Sequence, residues 1–142
     1  DACTTFAVKE ATNTADYVLE ARRAFTLLGL PTIRATVSTR GRGGQIAARL
    51  WDVNGRRQTL VTRGNYRLTD NQRGRIVFQL HGNGYRFAKG HLVRLELLGR
   101  DAPYYRPSST SFSARISRLR IELPTRERPS KKTGILRPTL GR

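Results

Sequence analysis

The feature that most constrains this chain is a strict alternation of apolar and polar residues. "TIRATVS" puts Ile33, Ala35 and Val37 on one side and Thr32, Arg34, Thr36 and Ser38 on the other. Successive side chains of an extended strand point to opposite faces, so this is the pattern of a strand with one face buried. "RIVFQLH" repeats it with Ile76, Phe78 and Leu80 inward, and "HLVRLELLG" with Val93, Leu95 and Leu97 inward against Arg94 and Glu96. "LRIELP" closes the series with Leu119, Ile121 and Leu123.

Two longer runs, Gln45–Val53 and Arg57–Leu68, flank "NGR". Asn-Gly between apolar runs supplies the positive φ of a tight hairpin turn, so the two are predicted to pair. "DYVLEA" is a weaker strand, and "ARRAFTLLG" is its continuation after a turn or one short helical turn. Glycine and proline punctuate the remainder at "RGRGG", "HGNG", "KG" and "DAPYYRPSS". Seven or eight short strands at this spacing, without a helix of three turns, predict an all-β sandwich or barrel. The body is expected to span 1–124. From Thr125 the segment "TRERPSKKTGILRPTLGR" has few apolar residues, and 125–142 reads as a basic tail, disordered or extended across a partner.

The formal charge is +17, from 27 Lys and Arg against 10 Asp and Glu, which raises nucleic acid, an anionic surface or an acidic domain as partners. Along the body, however, the arginines fall singly at outward strand positions and in turns. No nucleic-acid motif is present, and "RGRGG" is too short for an RGG segment. No apolar run reaches the length of a membrane helix, and "DACTTFAVKE" has neither the basic start nor the apolar core of a signal peptide. A soluble chain is expected. Cys3, the only cysteine, makes an intrachain disulfide impossible. It is a free thiol or pairs with another chain, and the latter would suit a secreted setting over a cytoplasmic one.

Catalytic signatures are missing. The serines at 38, 108, 109, 111, 113, 117 and 130 all lack the Gly-x-Ser-x-Gly frame of a hydrolase elbow. Asp52, Asp70, Glu96, Asp101 and Glu122 show no pairing that would mark a general acid and base. His81 and His91 lack the i, i+4 spacing of a zincin and no Cys-x-x-Cys occurs, so no catalytic residue, metal or cofactor is expected. His91 follows a glycine turn at a strand start, where a ring nitrogen satisfies a carbonyl or a neighbouring acid. His81 reads as a solvated turn residue.

Aromatic residues are the better binding candidates. Trp51 is opposite in parity to Leu50, so its ring belongs on the polar face, at an edge or in a second interface. There it stacks on a sugar or base, or covers an interdomain contact, the role favoured by the enrichment of Trp at interfaces. Tyr104, Tyr105 and Arg106, in a proline-flanked loop, pose the same choice between a carbohydrate and a neighbouring domain.

Three stretches together carry a resemblance: "GLPTIRATVSTRGRGGQIAARLWDVNGRRQTLVTRGNYRL", "FQLHGNGYRFAKGHLVRLELLGRDAPYYRPSS" and "ISRLRIELP". Over most of residues 26 to 124 the chain resembles the C-terminal non-catalytic domain of X-Pro dipeptidyl-peptidase-type hydrolases, the group that includes cocaine esterase and glutaryl-type acylases. The "ARLxDV" strand and "YRFxxGHxxRLxL" are the specific elements. The resemblance implies a jelly-roll, galactose-binding-like sandwich attached after an α/β-hydrolase domain that carries a Ser-Asp-His triad. The sandwich would pack on that domain, wall the active site or mediate homo-oligomers. Asp52, Phe87, Gly90 and His91 then match framework positions. The 142 residues contain no hydrolase domain, as expected of either a fragment of a longer chain or a domain that stands alone, and the many arginines and the basic tail keep a carbohydrate or polyanion partner in view.

Overall fold

In this computed structural model, residues 5–8, 13–128 and 137–138 are described. The expected alternation becomes a set of antiparallel strands, with no helix among the described residues. In chain order they are β1 (Thr5–Ala7), β2 (Thr14–Glu20), β3 (Phe25–Gly29), β4 (Thr32–Gly41), β5 (Gln45–Asn54), β6 (Arg57–Arg67), β7 (Arg73–Gln79), β8 (Asn83–Phe87), β9 (Leu92–Leu98), β10 (Phe112–Glu122) and β11 (Arg137–Pro138). More strands form than the pattern predicted. β1 and β11 are too short to show alternation, and β8 carries a glycine where the period needs a side chain. "ARRAFTLLG" becomes strand β3 after a turn, not a helical turn.

One sheet runs β1-β6-β5-β9-β2-β11, opposed by β10-β4-β7 and the pair β3-β8. Their apolar faces meet in one core: Ile46, Ala48, Leu50, Val61, Val93, Leu95 and Leu97 from the large sheet against Ile33, Ala35, Val37, Ile76, Phe78, Leu27 and Phe87. Leu27, Ile33, Leu50, Val61, Phe87 and Leu95 are fully buried, each such side chain contributing about 1.5–3 kcal/mol of transfer free energy. The architecture is an all-β sandwich.

The hairpin forms as expected, with Asn54 opposite Arg57 and Gly55 at φ 57° in the two-residue turn. Further along β6, Gly64 is needed for closeness: a Cβ there would stand 2.8 Å from the Gln79 carbonyl oxygen and 2.9 Å from Leu80 Cα, where β6 crosses β7. In β10 the register against β4 shifts between Ser117 and Arg120, and Arg118 sits in this bulge at φ 49°.

Beyond residue 124 the chain continues along β3. Leu28 N–H donates to the Pro124 carbonyl at 2.9 Å, Arg126 N–H to Thr26 at 3.0 Å, and the Glu127 carboxylate accepts from Thr26 N–H at 2.7 Å and its hydroxyl at 3.0 Å. β11 then pairs with β2. The remainder of the basic tail, and Cys3, lie outside the described residues.

Candidate functional site

Two groups of side chains occupy opposite faces of the large sheet. The first lies on the inner face, where β5 runs beside β9 and faces β8. Gly90, at φ 84°, turns the chain and donates to the Ala21 carbonyl at 2.8 Å, and Ala21 N–H donates back to His91 at 2.8 Å. This double tie fixes His91 at the head of β9. Its Nδ1 lies 2.9 Å from Asp52 Oδ1 and 3.1 Å from Oδ2, and the Tyr85 hydroxyl donates to Oδ2 at 2.7 Å. Tyr85 packs edge-on against Phe87, which stacks on Phe25 at 4.8 Å. Asp52 and His91 are thus bonded where β5 meets the start of β9, and Phe87 of β8 joins them through Tyr85. The partners of the His91 ring are the two Asp52 oxygens.

The second group is on the outer face of the same sheet. Arg94 and Glu96 point away from the core as expected, yet are only 6% and 3% exposed. This outer face is an ion-pair chain, not a solvated surface. Arg94 Nε donates to Asp16 at 2.9 Å and its Nη1 to the Gln58 side-chain carbonyl at 2.9 Å, while its Nη2 lies 3.7 Å from Glu96. Glu96 accepts from Trp51 Nε1 at 2.9 Å and from Arg49 at 3.4 Å. Arg49 Nε donates to Asp101 at 3.0 Å, and Arg63 reaches the other Asp101 oxygen at 3.3 Å. Burial pulls the Arg49 guanidinium down, but the hydrogen bond and charge of Asp101, with Glu96, outweigh it and hold its pKa above the ordinary arginine value.

Trp51, expected to offer its ring to a sugar or a neighbouring domain, is 5% exposed. A bulge between Leu50 and Trp51 places it opposite Leu60, Val53 packs beside it, and Phe6 of β1 closes over it edge-on at 6.2 Å. The ring is therefore buried within this chain.

Tyr104 and Tyr105 are positioned by Asp101, which is 1% exposed and whose carbonyl accepts the Tyr105 N–H at 2.8 Å. The Arg63 guanidinium lies 3.9 Å from the Tyr104 ring centroid, and Tyr104 remains 61% exposed. Burial first, then the Asp101 charge, raises the Tyr105 pKa, and its hydroxyl lies 3.1 Å from His81 Nε2. His81 is exposed as expected but not merely solvated. Arg106 is exposed, and its carbonyl accepts from Gln45 at 3.1 Å. The loop thus presents Tyr104 and Arg106 from a rigid base, beside an open depression lined by Arg42, Gln45, Asp70, Arg106 and Ser108.

Sequence reasoning missed Arg49, Arg63, Arg94 and Glu96 as members of a network with Asp101. The available signal was a pair of opposite charges at alternating positions of an otherwise apolar strand, Arg94 and Glu96. Among the described residues no group of three or more His, Cys, Asp or Glu is arranged to hold a metal.

The fold is thus a two-layer antiparallel sandwich that carries a fixed histidine–aspartate pair at one end of its inner face. Residues 9–121 match the X-Pro dipeptidyl-peptidase C-terminal non-catalytic domain, and the chain belongs to that family. Among solved structures it is similar to an alpha-amino acid ester hydrolase, with a TM-score of 0.69, 18% identity and 80% of this chain covered. It is similar also to an aminopeptidase from a marine sediment archaeon, Thaumarchaeota archaeon, with a TM-score of 0.71, 15% identity and 83% coverage. The chain spans about a quarter, 26%, of each of those two chains. No curated protein sequence matches it.

Proposed function

We propose that this domain serves a hydrolase by packing on its α/β catalytic domain and shaping the entrance to the active site, with no reacting group of its own. The observation that carries the reading is the Asp101–Thr110 loop. A half-exposed aromatic such as Tyr104 is the kind of side chain that fills an interface. Here it is held in place before any partner arrives, so little conformational entropy is lost on contact. Tyr104, Tyr105 and Arg106 form the proposed contact, anchored by Asp101, Arg63 and Gln45, and Asp52, Phe87, Gly90 and His91 are framework.

The test uses a hydrolase chain that contains residues 1–142. Replacing Tyr104→Ala and Arg106→Ser together should raise KM severalfold for bulky substrates, leave turnover of a small activated ester nearly unchanged and keep the melting temperature. Equal kinetics for large and small substrates in both proteins would count against the entrance role.

A further inference from the structure

The arginines that look scattered along the sequence are gathered by the fold. On the outer face of β10-β4-β7 the register sets Arg73, Ser38 and Arg115 in one row, Arg75, Thr36 and Ser117 in the next, and Val77, Arg34 and Arg120 in the third. Arg40 lies beyond the first row opposite Ser113, and Arg118 stands in the β10 bulge between the second and third. All seven arginines are exposed. Glu122 is the one acid on this face among the described residues, and of the seven only Arg34 is ion-paired there, with Glu122 at 2.9 Å. Arg34 and Arg120 are direct cross-strand neighbours, an arrangement of like charges that weakens a sheet.

From this face we infer a binding site for a linear anionic polysaccharide, one bearing sulfate or carboxylate groups. Down its centre β4 offers the small hydroxyl side chains Thr36 and Ser38, with Arg73 and Arg75 along one side and Arg115 and Arg120 along the other. The hydroxyls of Thr36 and Ser38 thus lie between two rows of guanidinium groups, with Arg34 and Arg40 at either end of the same line on β4. A thin chain lying along β4 reaches both rows, and guanidinium forks bind sulfate and carboxylate in two-point fashion. Ring hydroxyls of the sugar meet Thr36 and Ser38.

Other occupants fit less well. The outward residues of these rows include no aromatic, so bases of a single-stranded nucleic acid have nothing to stack on. The face is a sheet without a protruding helix or ribbon to enter a duplex groove. A dry protein interface would bury several unpaired guanidinium groups around one apolar side chain, Val77, at a large desolvation cost. This inference stands apart from the docking role, which involves the Tyr104 loop.

The experiment compares the 142-residue chain with Arg75→Ser/Arg115→Ser/Arg120→Ser and with a control of equal charge loss, Arg22→Ser/Arg56→Ser/Arg57→Ser. Heparin, polygalacturonate and a DNA duplex are titrated over a salt series, and thermal melts confirm that both variants fold. Heparin or polygalacturonate should bind the parent chain, and the face variant should lose about tenfold or more at low salt. Its slope of log affinity against log salt should flatten by about two to three, while the control keeps the parent's behaviour. Binding of heparin alone assigns sulfate, and binding of both assigns any anionic sugar. Equal losses in the two variants would reduce the effect to net charge. Tighter binding of the duplex than of either glycan, or no binding at all, would overturn the proposal.

Discussion

His91 Nδ1 and Asp52 Oδ1 lie 2.9 Å apart, while the other oxygen of the same carboxylate takes the Tyr85 hydroxyl at 2.7 Å. The pair resembles the base and orienter of a nucleophilic site, but its second link runs to a packed tyrosine. Asp52 is 6% exposed, and both of its oxygens have partners, as a buried polar group requires. The arrangement links β5 and β8 to the residue that precedes β9.

His91→Ala should lower the stability of the fold. Losing one hydrogen bond to a buried carboxylate is worth about 1–3 kcal/mol, read as a lower urea midpoint with unchanged slope. Asp52→Ala should cost more, because it deprives both His91 and Tyr85. A variant as stable as the parent would show that the pair carries no weight.

Asp101 holds two guanidinium groups and the base of the tyrosine loop. Asp101→Ala leaves Arg49 and Arg63 without it, a change worth about 3–5 kcal/mol in a fully buried network. Their side chains remain 23% and 18% exposed, so water screens them and the low end is expected. Denaturant melts measure the loss, and faster hydrogen exchange at the Tyr105 amide should accompany it. Unchanged exchange there would mean that the loop does not depend on this anchor.

At Gly64 a methyl group would meet the backbone of Gln79 and Leu80, which cannot swing aside. Gly64→Ala should destabilise by about 1–3 kcal/mol through overpacking. Gly55→Ala, where a Cβ meets nothing within 4 Å, strains only the turn at φ 57°. Comparing the two melts separates contact from backbone strain.

Glu127 gives a pH signature. Its carboxylate accepts the Thr26 amide, which together with the Thr26 hydroxyl and Arg86 holds its pKa below the ordinary value of 4.5. A lowered folded-state pKa means stability fully present above that ordinary value and lost as pH falls through the folded one. Glu127→Gln should therefore melt below the parent at neutral pH, and the gap should close in acid. A gap that persists at the lowest pH would assign the effect to the amide's replacement of one accepting oxygen by a donor, and not to the charge.

The sequence alone determined the longer strands and the faces they bury, though not the short β1, β8 and β11. Val37, Phe78 and Leu95 are buried because a period of two leaves an extended chain no other way to hide them, and Asn54-Gly55 dictates a hairpin whatever surrounds it. It also placed His91 at a strand start and excluded an elbow serine. Only the tertiary structure decided what lies on the outward positions, because parity says which face a residue takes but not what covers that face. Trp51, Arg94 and Glu96 carry the same outward parity as Arg34 and Arg75, yet the first three are buried by β1 and by one another while the last two stay in water. Register across three strands, a long-range property, turned arginines far apart in the chain into one basic face.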